Sequence, residues 1–132
     1  MRTIVVNLPV RKLEASEALF SEFGFTFNPE FSDDKTACMV VADNAFIMLV
    51  EQGRFRDFIV GEISDATTTE VVTSLSAESR EQVDALVAKA IAAGGSTYDK
   101  PEDLGFMYSH SFVDPDGHGW GLFHISDMSA QK

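Results

Sequence analysis

The sequence predicts an α+β fold of two βαβββ modules, which form curved sheets around a cleft with their helices outside. The order strand, helix and three strands is predicted twice within the 132 residues. Both helical stretches have apolar residues three to four positions apart, and glycine follows each stretch. A ferredoxin-like βαββαβ order has fewer strands per helix and is therefore disfavoured. The halves share little sequence identity, so the repeat is one of pattern.

The first module is predicted at residues 1–51 and begins with a strand at 3–10 that is rich in β-branched residues. A helix follows at 13–23, where apolar side chains recur at helical spacing. Gly24 ends this helix, as a C-terminal cap commonly does. The remaining strands of the module are predicted at 25–28, 36–42 and 45–51.

The second module is predicted at residues 70–125 and repeats this order, with a strand at 70–77. Ser79 or its neighbour is expected to cap a helix at 80–93, because a serine oxygen can accept from the first free backbone N–H groups. Two successive glycines stop the helix. The remaining strands of this module are predicted at 96–99, 106–113 and 119–125.

The segment between the modules, residues 52–69, breaks the pattern. Its apolar part at 52–62 is predicted either as a short helix that caps the cleft or contacts a partner subunit, or as a linker with packed aromatic residues. Both modules together form one predicted domain over residues 1–125, which is an ordinary domain length. Residues 126–132 are predicted to be a polar tail.

The formal net charge is −11, from 10 basic and 21 acidic residues. Such a charge disfavours a nucleic-acid partner, which needs a basic surface, and an anionic membrane as a docking surface. It suits a cationic small-molecule ligand, although an acidic surface also serves solubility alone.

Cys38 is the single cysteine, so an intrachain disulfide cannot form. It lies in an apolar run, where a small buried side chain is a simpler reading than a nucleophile. Neither a signal peptide nor a run of about 20 apolar residues is visible. We therefore expect a cytoplasmic protein.

Five short segments carry a family resemblance, the clearest being the turn Asp114-Pro115-Asp116-Gly117. The other four lie at 7–10, 13–16, 22–25 and 90–95. In order and spacing they resemble the vicinal-oxygen-chelate superfamily, which includes glyoxalase I, extradiol dioxygenases and bleomycin- or fosfomycin-resistance proteins. Within it, the run at 105–108 resembles a bacterial glyoxalase-like subgroup. The resemblance implies the two-module fold and a homodimer, but fold alone does not decide function.

The resemblance also implies up to four metal-ligand positions, which metal-dependent members fill with His, Gln or Glu. In this sequence the four positions are occupied by Val5, Met48, Val72 and Gly121. Valine and glycine side chains have no donor atom, and a methionine thioether suits soft metals only. The middle two assignments allow a shift of one or two residues, which would make Glu51 the nearest carboxylate. We therefore expect no metal and no other cofactor.

Strand alternation predicts which side chains line the cleft. The expected ligand-binding residues are Asn7, Phe46, Met48, Val72, Ser74, Ser111, Gly121 and Phe123. Most are apolar and a few can form hydrogen bonds, which is the usual composition of a small-molecule site. Gly119 and Gly121 leave space beside the backbone that suits close approach of a ligand. The same apolar side chains would equally fill a closed core.

The candidate acid–base pair is His110 with Tyr108, since histidine exchanges a proton near neutral pH. Alternation favours Ser109 and Ser111 on the cleft side, and only a β-bulge would turn His110 and Tyr108 inward.

Three functions remain open. The first is a protein that holds a small organic molecule, possibly a cation, in an apolar cleft without a metal. The second is a lyase or an extradiol-dioxygenase-like metalloenzyme with displaced ligands. The third is a structural or regulatory dimer. The residues favour the first and leave catalysis open.

Overall fold

The computed structural model describes residues 2–126. The chain forms two compact units, Met1–Ile63 and Ser64–Lys132. The boundary falls inside the segment predicted at 52–69. Apart from Ser126, the predicted polar tail lies outside the described residues.

The first unit contains a four-stranded sheet in the order β1-β4-β3-β2. Its strands are β1 (Ile4–Val10), β2 (Thr26–Phe27), β3 (Thr36–Ala42) and β4 (Ala45–Glu51). Helix α1 (Leu13–Glu22) separates the first two strands, and a short helix α2 (Gln52–Phe55) with a 3₁₀ turn follows the last. β1 and β4 are parallel, whereas β3 is antiparallel to both of its neighbours.

Part of the core of the first unit lies on the side of its sheet that faces α1. Val10, Ile47 and Leu49 are at most 3% exposed on that side, while Phe46 and Met48, which alternate with them along β4, are half-buried. On the other side, Val50 and Cys38 are also buried, at 1% and 3% exposed. Helix α1 contacts β3 and β4 and buries Leu19 and Phe20. The apolar stripe of the helix therefore covers the side of the sheet that carries Leu49.

The second unit repeats this topology with the sheet order β5-β8-β7-β6. Its strands are β5 (Val72–Ser76), β6 (Glu102–Asp103), β7 (Met107–Val113) and β8 (Gly119–Ile125). Helix α3 (Arg80–Ala92) follows β5, and β5 is parallel to β8. The predicted α+β fold with two βαβββ modules is confirmed.

The core of the second unit is formed by aromatic residues under α3. The rings of Phe112 and Trp120 stack with centroids 6.2 Å apart, and both side chains are fully buried. Helix α3 contacts β7 and β8 and contributes Val83 and Leu86 to this core. The predicted cap of α3 is present, because the backbone N–H of Gln82 donates to Ser79 Oγ over 3.0 Å.

The helices are short: α1 has ten residues and α3 has thirteen. A helix needs about 20 residues to span a bilayer. None of the helices described between residues 2 and 126 is long and apolar enough to cross a membrane.

The prediction of a strand at 96–99 was wrong. Ser96 forms a single bridge to Val113, and the fourth strand of the sheet is β6, farther along the chain. Thr97 donates its hydroxyl to the carbonyl oxygen of Ser111 over 2.7 Å, so a side chain holds this segment against β7. Pro101 follows, and it has no N–H to extend a ladder.

Several predicted boundaries were too long by one or two residues. The strand predicted at 25–28 keeps only Thr26–Phe27, because Asn28 accepts a hydrogen bond from the backbone of Glu30 and caps a 3₁₀ turn. The strand at 70–77 shortens to Val72–Ser76, and both long helices end one residue early. The apolar segment at 52–62 does contain a short helix.

Candidate ligand-binding site

The second sheet brings all of its predicted ligand-binding residues onto one face. Ser74 of β5 pairs with Gly121 of β8, which in turn pairs with Ser111 of β7. The next row joins Ser76, Phe123 and Ser109 in the same way. Paired residues in a ladder point to the same side of a sheet. We call the face that carries Ser74, Ser76, Ser109, Ser111, Gly121 and Phe123 the serine face.

The serine face is the side of the sheet that α3 does not cover. Tyr108 lies on the opposite side, where its hydroxyl donates to Asp84 Oδ1 of α3 over 2.7 Å. Trp120 and Leu122 share that side and are buried. On the serine face, by contrast, Val72 is 47% exposed, and Ser74 is exposed.

The space above the two glycines of β8 is occupied by side chains of β5. A Cβ atom at position 121 would lie 2.8 Å from Ser74 Oγ, and one at position 119 would lie 3.3 Å from Val72 Cγ2. The expectation that Gly119 and Gly121 leave open space for a ligand was therefore wrong. The glycines instead let Ser74 and Val72 lean across β8, which puts the Ser74 hydroxyl over the middle of the serine face.

The hydroxyl groups of the serine face make no hydrogen bonds within the described part of the chain. Across residues 2–126, no side-chain hydrogen bond joins Ser74, Ser76, Ser109 or Ser111 to another residue. A hydroxyl group can donate one hydrogen bond and accept two. The serine face therefore combines unused hydrogen-bonding groups with the ring of Phe123, which is half-buried.

The first sheet gathers the remaining predicted residues on the side away from Leu49. Val5 pairs with Phe46, Asn7 pairs with Met48, and Val40 also pairs with Phe46. We call this side, with Val5, Asn7, Val40, Phe46 and Met48, the Met48 face. Asn7 and Val5 are exposed, while Phe46 and Met48 are half-buried. It is an apolar surface with one amide group.

The residues at the four metal-ligand positions do not fit a metal ion. Val5 and Met48 lie on the Met48 face, and Val72 and Gly121 lie on the serine face. A carboxylate side chain at position 121 would collide with Ser74 Oγ. Glu51 pairs with Val10 and so lies on the other side of the sheet from Met48. No group of three His, Cys, Asp or Glu side chains in the described part of the chain is arranged to hold a metal.

His110 and Tyr108 lie on the α3 side of the second sheet. The register between β7 and β8 runs without a bulge from Met107 to Val113, so nothing turns these side chains toward the serine face. His110 Nε2 is 3.1 Å from Thr97 Oγ1 and 3.3 Å from Asp99 Oδ1. For Tyr108, the hydrogen bond to Asp84 and then burial raise the pKa. Both side chains hold neighbouring segments onto the sheet.

Asp114 fixes the turn between the two strands that carry most of the serine face. Its Oδ1 accepts from the backbone N–H of Asp116 over 2.9 Å and from that of His118 over 3.0 Å. Burial raises the pKa of this carboxyl group, and the hydrogen bond from Trp120 opposes that shift. The sequence indicated a turn residue here but not its bond to the core.

Three solved structures share this architecture over nearly the whole chain. The hypothetical protein SA1046 from S. aureus is 28% identical, with 95% of each chain covered and a TM-score of 0.79. A glyoxalase/bleomycin resistance protein/dioxygenase family enzyme from Burkholderia phytofirmans PsJN is 20% identical, with 95% of this chain and 99% of that chain covered and a TM-score of 0.78. The fosfomycin resistance protein FosX from Listeria monocytogenes is 18% identical, covering 100% and 98%, with a TM-score of 0.65.

The chain has the glyoxalase/bleomycin resistance/dioxygenase fold. The fold that the resemblance to the vicinal-oxygen-chelate superfamily implies is thereby confirmed. No protein-family model matches the sequence, and no curated protein matches it either. At these identities the likeness establishes the fold, while activity has to be argued from the residues.

Proposed function

We propose that this protein binds a small organic molecule on the serine face, without a metal ion. The observation that carries the proposal is the set of unused hydroxyl groups beside Phe123 on the side of the sheet that α3 leaves uncovered. Small-molecule sites combine apolar surface with a few polar groups that fix orientation.

The chemistry of the four metal-ligand positions supports a metal-free site. A divalent ion needs nitrogen or oxygen donors from several side chains, and these positions supply none. The Ser74 hydroxyl, which occupies the space beside Gly121, supplies a neutral hydrogen-bonding group instead.

A thermal-shift screen of small aromatic compounds against the whole chain tests the binding proposal. A bound compound raises the midpoint of unfolding, because it binds only the folded state. Ser74→Phe, which would cover the serine face, should abolish that shift. Ser21→Phe, on an exposed position of α1, is the matched control and should keep it. Loss of the shift in both variants, or in neither, would contradict the proposed site.

Metal analysis of protein purified without a chelator separates this proposal from a metalloenzyme with displaced ligands. We expect Zn, Ni, Mn and Fe each at well below one equivalent per chain. A stoichiometric metal that survives dialysis would overturn the metal-free proposal and favour a lyase or dioxygenase.

We further propose that the protein is a homodimer. Both sheets have an edge strand with exposed apolar side chains, Ile4 and Val5 on β1 and Val72 on β5. Such side chains on an unpaired edge favour burial against another surface. Light scattering coupled to size-exclusion chromatography should give twice the chain mass of 14.5 kDa, and a mass equal to one chain would contradict the proposal.

A further inference from the structure

We propose that the ligand of the serine face is an organic cation, whose positive group binds beside Glu102. This inference rests on the proposed function, and it adds the chemical class of the ligand. It is carried by the position of Glu102 in the sheet and by the charges that share the serine face.

Glu102 is in the same row of the sheet as three residues of the serine face, Ser109, Phe123 and Ser76. It pairs with Ser109, which pairs with Phe123. Its neighbour Asp103 points the other way and bonds Arg80 of α3 over 2.6 Å, which confirms the alternation. Glu102 is exposed, and across residues 2–126 its carboxylate forms no hydrogen bond or ion pair.

Neither Lys nor Arg occurs among the described strand residues of the serine face. An anionic ligand would therefore meet no cationic strand residue on this face, and the Glu102 carboxylate would repel it. The net charge of −11 adds a long-range preference for cations. Serine hydroxyls accept hydrogen bonds from an ammonium or guanidinium group as readily as they donate to a carbonyl, so they do not oppose this preference.

The spacing of the row sets the size of the ligand. Two strand spacings separate Phe123 from Glu102, which is about 10 Å at the backbone. An aromatic ring on Phe123 with an amine on a short chain fits this distance. The predicted ligand class is thus an aromatic or aliphatic amine with an apolar body.

Three probes with one ring system and different charges test the inference: tryptamine, indole-3-propionamide and indole-3-propionate. Their affinities for the full chain are measured at pH 7 and low salt by titration calorimetry, and ring contacts by saturation-transfer NMR. Tryptamine should bind about fivefold more tightly than the propionate, the scale of one exposed charge pair. Added salt should reduce that difference, since it screens exposed charges.

Glu102→Gln is the decisive variant, with Glu30→Gln, at an exposed position in the first unit, as its charge-matched control. Glu102→Gln should remove most of the preference for tryptamine over the propionate and leave the affinity for the amide unchanged. Glu30→Gln should change neither the preference nor the affinity for the amide. Equal or tighter binding of the propionate, or an unchanged preference in Glu102→Gln, would overturn the cation inference alone. If none of the three probes binds, the proposed function fails together with it.

Discussion

Trp120 donates its indole N–H to Asp114 Oδ2 over 2.9 Å inside the second unit. The bond joins the turn between β7 and β8 to the buried aromatic pair under α3. A side chain that is 6% exposed thus holds both the turn and the core.

Replacing Asp114 should therefore destabilise the protein strongly. Asp114→Ala leaves the indole N–H and two turn N–H groups without their acceptor, and we expect a loss of about 2–4 kcal/mol in the free energy of unfolding. Urea unfolding followed by tryptophan fluorescence measures it. Asp43→Ala, in an exposed turn, should cost less than about 0.5 kcal/mol. Equal losses in both variants would contradict the anchoring role of Asp114.

Gly117 should tolerate alanine much less well than Gly105, although both have positive φ, +89° and +85°. A Cβ atom at position 117 would lie 2.6 Å from the Cα atom of Ala66, whereas position 105 is open. Gly105→Ala should cost about 1–2 kcal/mol from backbone strain, and Gly117→Ala should cost about 1–3 kcal/mol more from overlap. Chemical denaturation of both variants gives the difference, and similar costs would show that Ala66 moves aside freely.

Ser74 and Gly121 should be energetically coupled. Gly121→Ala pushes a methyl group against Ser74 Oγ, so it should destabilise the protein by about 0.5–1.5 kcal/mol. In a Ser74→Gly background the same change should be neutral or stabilising. Alanine has fewer backbone conformations than glycine in the unfolded chain, so less conformational entropy is lost on folding. A double-mutant cycle on the free energy of unfolding measures the coupling. A coupling near zero would mean that the serine hydroxyl simply rotates away.

The ion pair between Arg80 and Asp103 should make stability fall in acid. The Asp103 pKa is lowered from 3.8 to about 2, and the hydrogen bond from Arg80 is the largest cause. Because the folded pKa is depressed, this pair stabilises the protein above about pH 4, and its contribution is lost as the pH falls toward 2.

Asp103→Asn checks this sign. The variant should be less stable than the wild type at pH 6, and the two should converge near pH 2. Asp34→Asn, at an exposed position, is the control and should run parallel to the wild type. Carbon-detected NMR titration of the Asp103 carboxyl group gives its pKa directly, and an ordinary value near 3.8 would contradict the prediction.

Local pattern was enough to predict the strands with dense apolar sequence. β4 and β8 have the predicted bounds, because turn residues enclose each apolar run. β6 has two residues and is defined only by pairing with β7, so no local sequence pattern predicts it. Assigning the candidate site to one face needed only alternation, which predicted Ser74, Ser111 and Phe123 on that face. The Ser74 hydroxyl over Gly121 depends on register and rotamer together, and these follow from tertiary packing.

Both sheets join their first and last strands in parallel, with Ile4 opposite Ala45 and Val72 opposite Gly119. During synthesis, the opening strand of each unit has no partner until the closing strand has emerged. The hairpins β3–β4 and β7–β8 close short loops and can form first. In each unit the strand that is synthesised first, β1 or β5, therefore waits longest for its pairing partner. These two strands are the ones most open to wrong pairing while the chain is made.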